Sequence, residues 1–163
     1  MDKALELLSF RARSESELKR RLLRAGHAPS ATESALLRCR ELGYLDDRAF
    51  ALAHVRDRLR LRPKGRRALR SELFRKGVDG DLAEAAIDEA FAESGLDETD
   101  LARRLADKRV KALGGVETEA ARRRLMGYLA RRGFPPPVVR TVVAETLPAG
   151  SVGPPDPPSR LVD

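Results

Sequence analysis

One spacing constrains this chain more than any other. Leu18, Leu69 and Leu125 stand eight residues before Gly26, Gly77 and Gly133, and Leu22, Leu73 and Leu129 stand four before the same glycines. Leu36, Ile87 and Val143 follow them by ten. Leucines four apart share one helix face. A glycine just beyond such a face suits the left-handed conformation that closes a helix. A single leucine–glycine spacing says little, but three copies with matching downstream apolar positions mark an internal repeat. The glycines are 51 and 56 residues apart, which leaves each unit too small for a large core of its own. Packing between units is therefore expected.

Read in order, each unit holds three helices. In the first, Ala4, Leu5, Leu7 and Leu8 belong to an opening helix, and Ser14 with Glu17 forms a capping box for the second. Ser30 with Glu33 suggests another box before the third helix, which carries Ala35, Leu36, Cys39 and Leu42 and ends at Gly43. Asp46 or Asp47 caps the next helix, making the Asp-Asp pair a joint between units rather than a metal site. That helix carries Phe50, Ala53, Leu59 and Leu61 until Pro63 breaks it, and Lys64-Gly65 forms a loop. Asp79 caps the helix of Leu82, Ala86, Ile87, Ala90 and Phe91, closed by Gly95. The third unit follows the same plan through Leu101, Leu105, a Gly114-Gly115 loop and the valines after Pro135–Pro137. The expected fold is all-α, an elongated array of three tandem three-helix repeats over 1–45, 46–96 and 97–147. A Pro-rich tail over 148–163 is expected to lack order.

Composition supports helix: Ala, Leu, Arg and Glu dominate, and only 4% of residues are aromatic. The single Cys39 forms no internal disulfide and fits a buried small hydrophobe in a reducing, cytoplasmic setting. No apolar run reads as a signal peptide or membrane span.

Charge is strongly segregated. The net +7 resolves into +8 over residues 55–78, −9 over 79–100 and +8 over 101–140. A charge run is usually a solvated face, but scattered solubilising charge would mix the signs. Such blocks suit a polyanion or an acidic protein surface. The acidic block would be repelled by DNA and would meet either a basic partner or basic neighbours within the chain. The candidate contacts are Arg56, Arg60, Lys64, Arg66, Arg67, Arg70 and Lys76 in the second unit, with Lys64, Arg66 and Arg67 expected to project from their loop. In the third unit they are Arg103, Arg104, Arg122, Arg123, Arg131 and Arg132. Guanidinium groups bind phosphate or carboxylate through paired donors.

Other chemistries find no support. His27 and His54 lie in different units, no zinc-ligand spacing occurs, and Gly114-Gly115 lacks the Lys-Ser/Thr of a phosphate loop. No nucleophile is paired with a base, so no catalytic residue, metal or cofactor is expected. Sparse aromatics disfavour base stacking, and no helix rich in Asn, Gln or Ser suggests sequence-specific reading.

Three segments carry a resemblance: Leu7 to Leu18, Glu41 to Ala51 (ELGYLDDRAFA) and Lys64 to Val78 (KGRRALRSELFRKGV). They resemble the bacterial RecX regulators over roughly the first nine-tenths of the chain, most specifically in the first two units. His54 stands where much of that family has an aromatic. The resemblance implies a three-repeat helical protein, expected as a monomer, that binds the RecA filament on DNA and dampens its ATPase and strand exchange. It also implies a place in homologous recombination, DNA repair and the SOS response, and offers no catalytic residues. A different class of reading is a sequence-nonspecific module that binds the DNA phosphate backbone without RecA.

Overall fold

The structure is a computed structural model that describes residues 1–114 and 116–148. Gly115 and the Pro-rich stretch 149–163 lie outside the described residues. Among the described residues there are nine α-helices and no strand. The first repeat holds α1 (Asp2–Phe10), α2 (Glu15–Arg24) and α3 (Pro29–Glu41). The second holds α4 (Asp47–Leu61), α5 (Arg66–Arg75) and α6 (Gly80–Ser94), and the third α7 (Glu98–Lys111), α8 (Thr118–Arg131) and α9 (Pro136–Thr146).

The leucine–glycine register is the packing register. All nine apolar residues that define it are buried, none more than 3% exposed. Gly26, Gly77 and Gly133 each take a positive φ at the end of the middle helix. Well-packed helix pairs lie within repeats: α4 on α6, α5 on α6, α7 on α9 and α2 on α3. The first repeat has its own small core around Leu18, Leu22, Leu36 and Cys39. The second and third share one apolar cluster that runs from Ala51 to Val143.

Three local expectations change and one open alternative resolves. Glu17 leaves the capping box half-made: Ser14 Oγ accepts from Glu17 N at 3.1 Å, but the Glu17 carboxylate is taken by Arg11 and Arg13. Ser30 does not cap α3, which starts at Pro29 after Ala28 with no side-chain cap. Proline fixes φ for the first turn and has no N–H to satisfy. Of the two aspartates offered as the cap of α4, Asp46 takes the role, accepting from Ala49 N at 2.9 Å. Finally, α4 buries Ala51 and Val55, whereas Ala53 is exposed and Leu61 is 64% exposed.

Repeats meet through their middle helices. The N-terminus of α2 sits on the C-terminus of α5, and the N-terminus of α5 sits on the C-terminus of α8. At the first joint Ser14 Oγ donates to Lys76 O. At the second, Gly65 N donates to Arg132 O at 2.9 Å. In each case a carboxylate from the first turn of the next repeat reaches back to an exposed helix N–H. Asp47 accepts from Glu15 N at 2.8 Å, and Glu98 accepts from Arg66 N at 2.8 Å. Helix N-termini leave such N–H groups without intrahelical partners, so each carboxylate meets both a donor and a favourable dipole. Asp46-Asp47 thus divides its work: one caps its own helix and the other joins two repeats.

These joints leave no room for a side chain. A methyl group on Gly133 would lie 2.5 Å from Ala68 N, and one on Gly77 would overlap Ser16. Gly26 has a similar φ of +87° but nothing within 4 Å. Gly26→Ala should cost about 1–2 kcal/mol for the left-handed backbone alone. Gly133→Ala should cost a further 1–3 kcal/mol or so for overpacking the joint. Urea denaturation of both variants measures the difference; equal losses would show that the joint contributes no steric constraint.

One register position is unlike its equivalents. Thr32 lies six residues after Gly26, where the other repeats place Ala83 and Val139, and all three are buried. Its hydroxyl has no hydrogen-bond partner among the described residues. Thr32→Val keeps the shape and removes an unsatisfied group. It should raise unfolding stability by about 1 kcal/mol, read from the urea midpoint.

Candidate interaction face

The head-to-tail line of α2, α5 and α8 repeats one exposed position. Two residues before each positive-φ glycine stands an arginine: Arg24, Arg75 and Arg131. All three are exposed. Among the described residues none pairs with a carboxylate, and the Arg75 guanidinium donates to Ser71 Oγ at 3.3 Å. Consecutive members share depressions. Arg24 and Arg75 line one of about 270 Å³ together with Arg20, Arg21 and Lys76. Arg75 and Arg131 line the next, about 320 Å³, with Lys64 and Arg67. The result is a cationic strip across all three repeats, so the first repeat contributes to it as well as the second.

Most other candidate cations are spoken for. The acidic block folds back on the basic one through α6: Arg56 pairs with Glu93, Arg66 with Asp88 and Arg70 with Glu84, and Glu89 meets Arg48, just outside the basic block, at 3.3 Å. Hydrogen bonding from Arg56 holds the exposed Glu93 carboxyl below its ordinary range, and Arg70 does the same for Glu84. The sequence left two destinations for the −9 block, and the structure gives it the internal one. Arg103 pairs with Glu145 at 2.8 Å and with Asp100 at 3.1 Å. Arg122 donates to Leu147 O, and Arg132 donates to Pro63 O at 3.1 Å while lying 5.1 Å over the Tyr128 ring. Arg60 stands 3.8 Å from Asp57, a loose contact. Lys76 lies 5.6 Å over the Phe50 ring. Arg67, Lys76, Arg104, Arg123 and Arg131 make no ion pair with a carboxylate among the described residues.

Lys64 and Arg66 do not project as the loop sequence suggests. Arg66 packs over Phe91 at 4.5 Å besides its pair with Asp88. Lys64 turns inward to Glu72, which is 7% exposed. Glu72 also accepts from Arg58 Nε at 2.8 Å and from His54 Nε2 at 2.9 Å. Burial lowers the His54 pKa against the opposing pull of Glu72, so at neutral pH the ring is uncharged and donates from Nε2. The equivalents of Glu72 are Arg21 and Tyr128, so this cluster exists in the second repeat alone. A lone Glu on a leucine-patterned helix gave no sign of it; its partners lie 8 to 18 residues away. Arg24 and Arg75 were missed because their meaning is visible only once the repeats are stacked. Among the described residues no His/Cys/Asp/Glu group is arranged to hold a metal, and no helix is long and apolar enough to cross a membrane.

The cluster has a pH signature. Burial alone would raise the Glu72 pKa, but hydrogen bonds from Lys64, Arg58 and His54 outweigh it and hold the carboxyl at about 2, down from 4.5. A depressed carboxyl stabilises the fold fully above its unfolded pKa, and that stability is lost as pH falls from 4.5 through about 2. Glu72→Gln should flatten the acid limb of the thermal midpoint in this window. At pH 7 it should cost roughly 1–3 kcal/mol, less than a fully buried pair because Arg58 and Lys64 are partly solvated. Thermal melts from pH 2 to 7 test it; parallel acid limbs for both proteins would contradict the assignment.

Comparison with known proteins agrees with this architecture. Residues 1–39, 46–87 and 97–143 match the first, second and third three-helix domains of RecX. The chain is 39% identical over 142 residues to the regulatory protein RecX of Amycolatopsis mediterranei, covering 87% of this chain and 79% of that protein. It is also 39% identical over 148 residues to the regulatory protein RecX of Thermobifida fusca, covering 91% and 78%. The crystal structure of RecX from Lactobacillus salivarius superposes with a TM-score of 0.75 at 20% identity, over 89% of this chain and 92% of that one, which speaks to the fold. Three domains in order, with relatives matched over most of their length, place this chain in the RecX family of regulatory proteins.

Proposed function

We propose that this protein modulates the RecA recombinase: it lies along the RecA–DNA filament and dampens ATP hydrolysis and strand exchange. The RecX resemblance supplies the partner. The arginine strip is the observation that carries the mode of action. A filament is a periodic anionic object, and one exposed arginine per repeat matches a periodic partner better than it matches a compact one. The protein acts by occupancy, as a cytoplasmic monomer, with no turnover, metal or cofactor of its own. Arg24, Arg75 and Arg131, with Arg67, Arg104 and Arg123, are the leading contacts in place of Lys64 and Arg66. Lys64 and Arg66 instead hold the second repeat together.

A second reading keeps the strip and drops RecA: a helical module that binds the DNA phosphate backbone alone. The same arginines favour it, because phosphate backbones are recognised without aromatic stacking or base-reading side chains. The two separate in RecA's DNA-dependent ATP hydrolysis, with this protein titrated in at concentrations where it does not coat the DNA by itself. The rate should fall, and Arg24→Ala/Arg75→Ala/Arg131→Ala should need about tenfold or more protein for the same effect. If phosphates are the ligands, the triple variant should also lose about three units of the salt slope of DNA binding. An unchanged hydrolysis rate would remove RecA from the account.

A further inference from the structure

A depression of about 340 Å³ lies where α5, α8 and α9 meet. Phe134 and Val139 form its floor, each under 5% exposed, and Met126 and Pro136 form its walls. Arg67 of α5 and Arg140 of α9 stand at its rim. Both are exposed, and neither meets a carboxylate among the described residues. The site is therefore an apolar hollow flanked by free guanidinium groups.

The repeat register says what the same place holds elsewhere. Seven residues before and seven after the positive-φ glycine stand Lys19 and Glu33, Arg70 and Glu84, and Met126 and Arg140. In the first repeat Lys19 pairs with Glu33, tying α2 to α3. In the second Arg70 pairs with Glu84, tying α5 to α6. The third repeat has no such tie: methionine replaces the cation, and arginine replaces the carboxylate. The charge that faces the middle helix is inverted, and an unbranched, adaptable side chain lines the hollow in place of a salt bridge. A carboxylate from outside the chain would restore the missing half of the pair at Arg140.

We infer that this hollow is a docking site for an acidic, apolar protein segment: a side chain seated over Met126 and Pro136, with carboxylates reaching Arg140 and Arg67. Charge complementarity selects that occupant. A phosphate backbone would satisfy the arginines but has no apolar group for the hollow. A stacked base needs an exposed ring, and Phe134 is 2% exposed. The inference rests on RecA being the partner and assigns the division of contacts: the arginine strip takes DNA, and the hollow takes protein.

The repeats themselves supply the test. Met126→Arg/Arg140→Glu rebuilds the Arg70–Glu84 pair in the third repeat, so the fold is supported while the hollow is closed and its charge reversed. Binding of unaltered and variant protein to RecA without DNA, to the RecA–DNA filament, and to duplex DNA without RecA is measured by biolayer interferometry. The variant should bind DNA-free RecA about tenfold or more weakly and duplex DNA within about threefold of the unaltered protein. Arg140→Glu alone should weaken RecA binding in the same direction, which guards against a misfolded double variant. Equal affinity of variant and unaltered protein for RecA overturns the inference, as does a loss confined to DNA. An unaltered protein that binds the RecA–DNA filament but not RecA alone also overturns it and leaves the proposed function standing. One that binds neither form of RecA overturns both.

Discussion

The architecture hangs on one contact: a helix N-terminus seated on a left-handed glycine of the next repeat. Helix packing within each repeat is ordinary, and the first repeat closes its own core. What converts three such units into an array is the pair of joints at Gly77 and Gly133. Each joint aligns the positive end of one middle helix with the carbonyl end of the next, so their dipoles attract. A carboxylate, Asp47 or Glu98, then satisfies an N–H that the seam would otherwise leave without a partner. Glycine is needed twice over at these points, for φ and for space. Gly65 is needed for space alone: a Cβ there would lie 2.5 Å from Gly133 O, while its own φ is −71°.

The joints also decide which charges are free. In the sequence the acids of 79–100 form a block apart. In space α6 packs on α4 and α5, and its Glu84, Asp88, Glu89 and Glu93 pair with neighbouring arginines, while Asp79, Asp97 and Glu98 go to helix N–H groups. Each of those exposed pairs adds little to stability. Together they remove the obvious cations of the second repeat from competition for an external anion. Arg66 and Arg70 of α5 are taken by α6, but Arg75 at the end of the same helix turns to Ser71 Oγ, and Arg24 and Arg131 hold its place in the other repeats. The spacing of this strip is set by the joints, one arginine per repeat, rather than by the density of Lys and Arg in the sequence.

Much of the fold was legible in the chain. Leu18, Leu69 and Leu125 with their glycines announced three repeats, and repetition made a weak local signal secure. Asp46 and Asp79 announced their own helices, because capping is local chemistry. The joints were not legible. Ser14 with Lys76 and Gly65 with Arg132 lie 62 and 67 residues apart, and nothing local distinguishes a glycine that must admit a neighbour from one that only turns the chain. The candidate face was half legible. Sequence located the cations but not which would be consumed: Lys64 sits in a Pro-x-Gly loop that reads as projecting. Only the buried carboxylate of Glu72, eight residues on, turns it inward.

A repeat carries its own controls, and the departures from it differ in kind. Thr32 differs from Ala83 and Val139 by an unsatisfied hydroxyl, a small local loss. Glu72 differs from Arg21 and Tyr128 by a carboxylate, but three donors converge on it, so the departure is compensated inside the second repeat. Met126 with Arg140 differs again. The ion pair of the first two repeats is gone, the arginine is left without an acid among the described residues, and the apolar side chain that replaces the cation is 40% exposed. Nothing within the described chain offsets that change. Consistency across levels is what makes a sequence specify its fold, and a break without internal compensation points to a requirement from outside it. Such a requirement would be met by a partner that brings its own carboxylate to the third repeat.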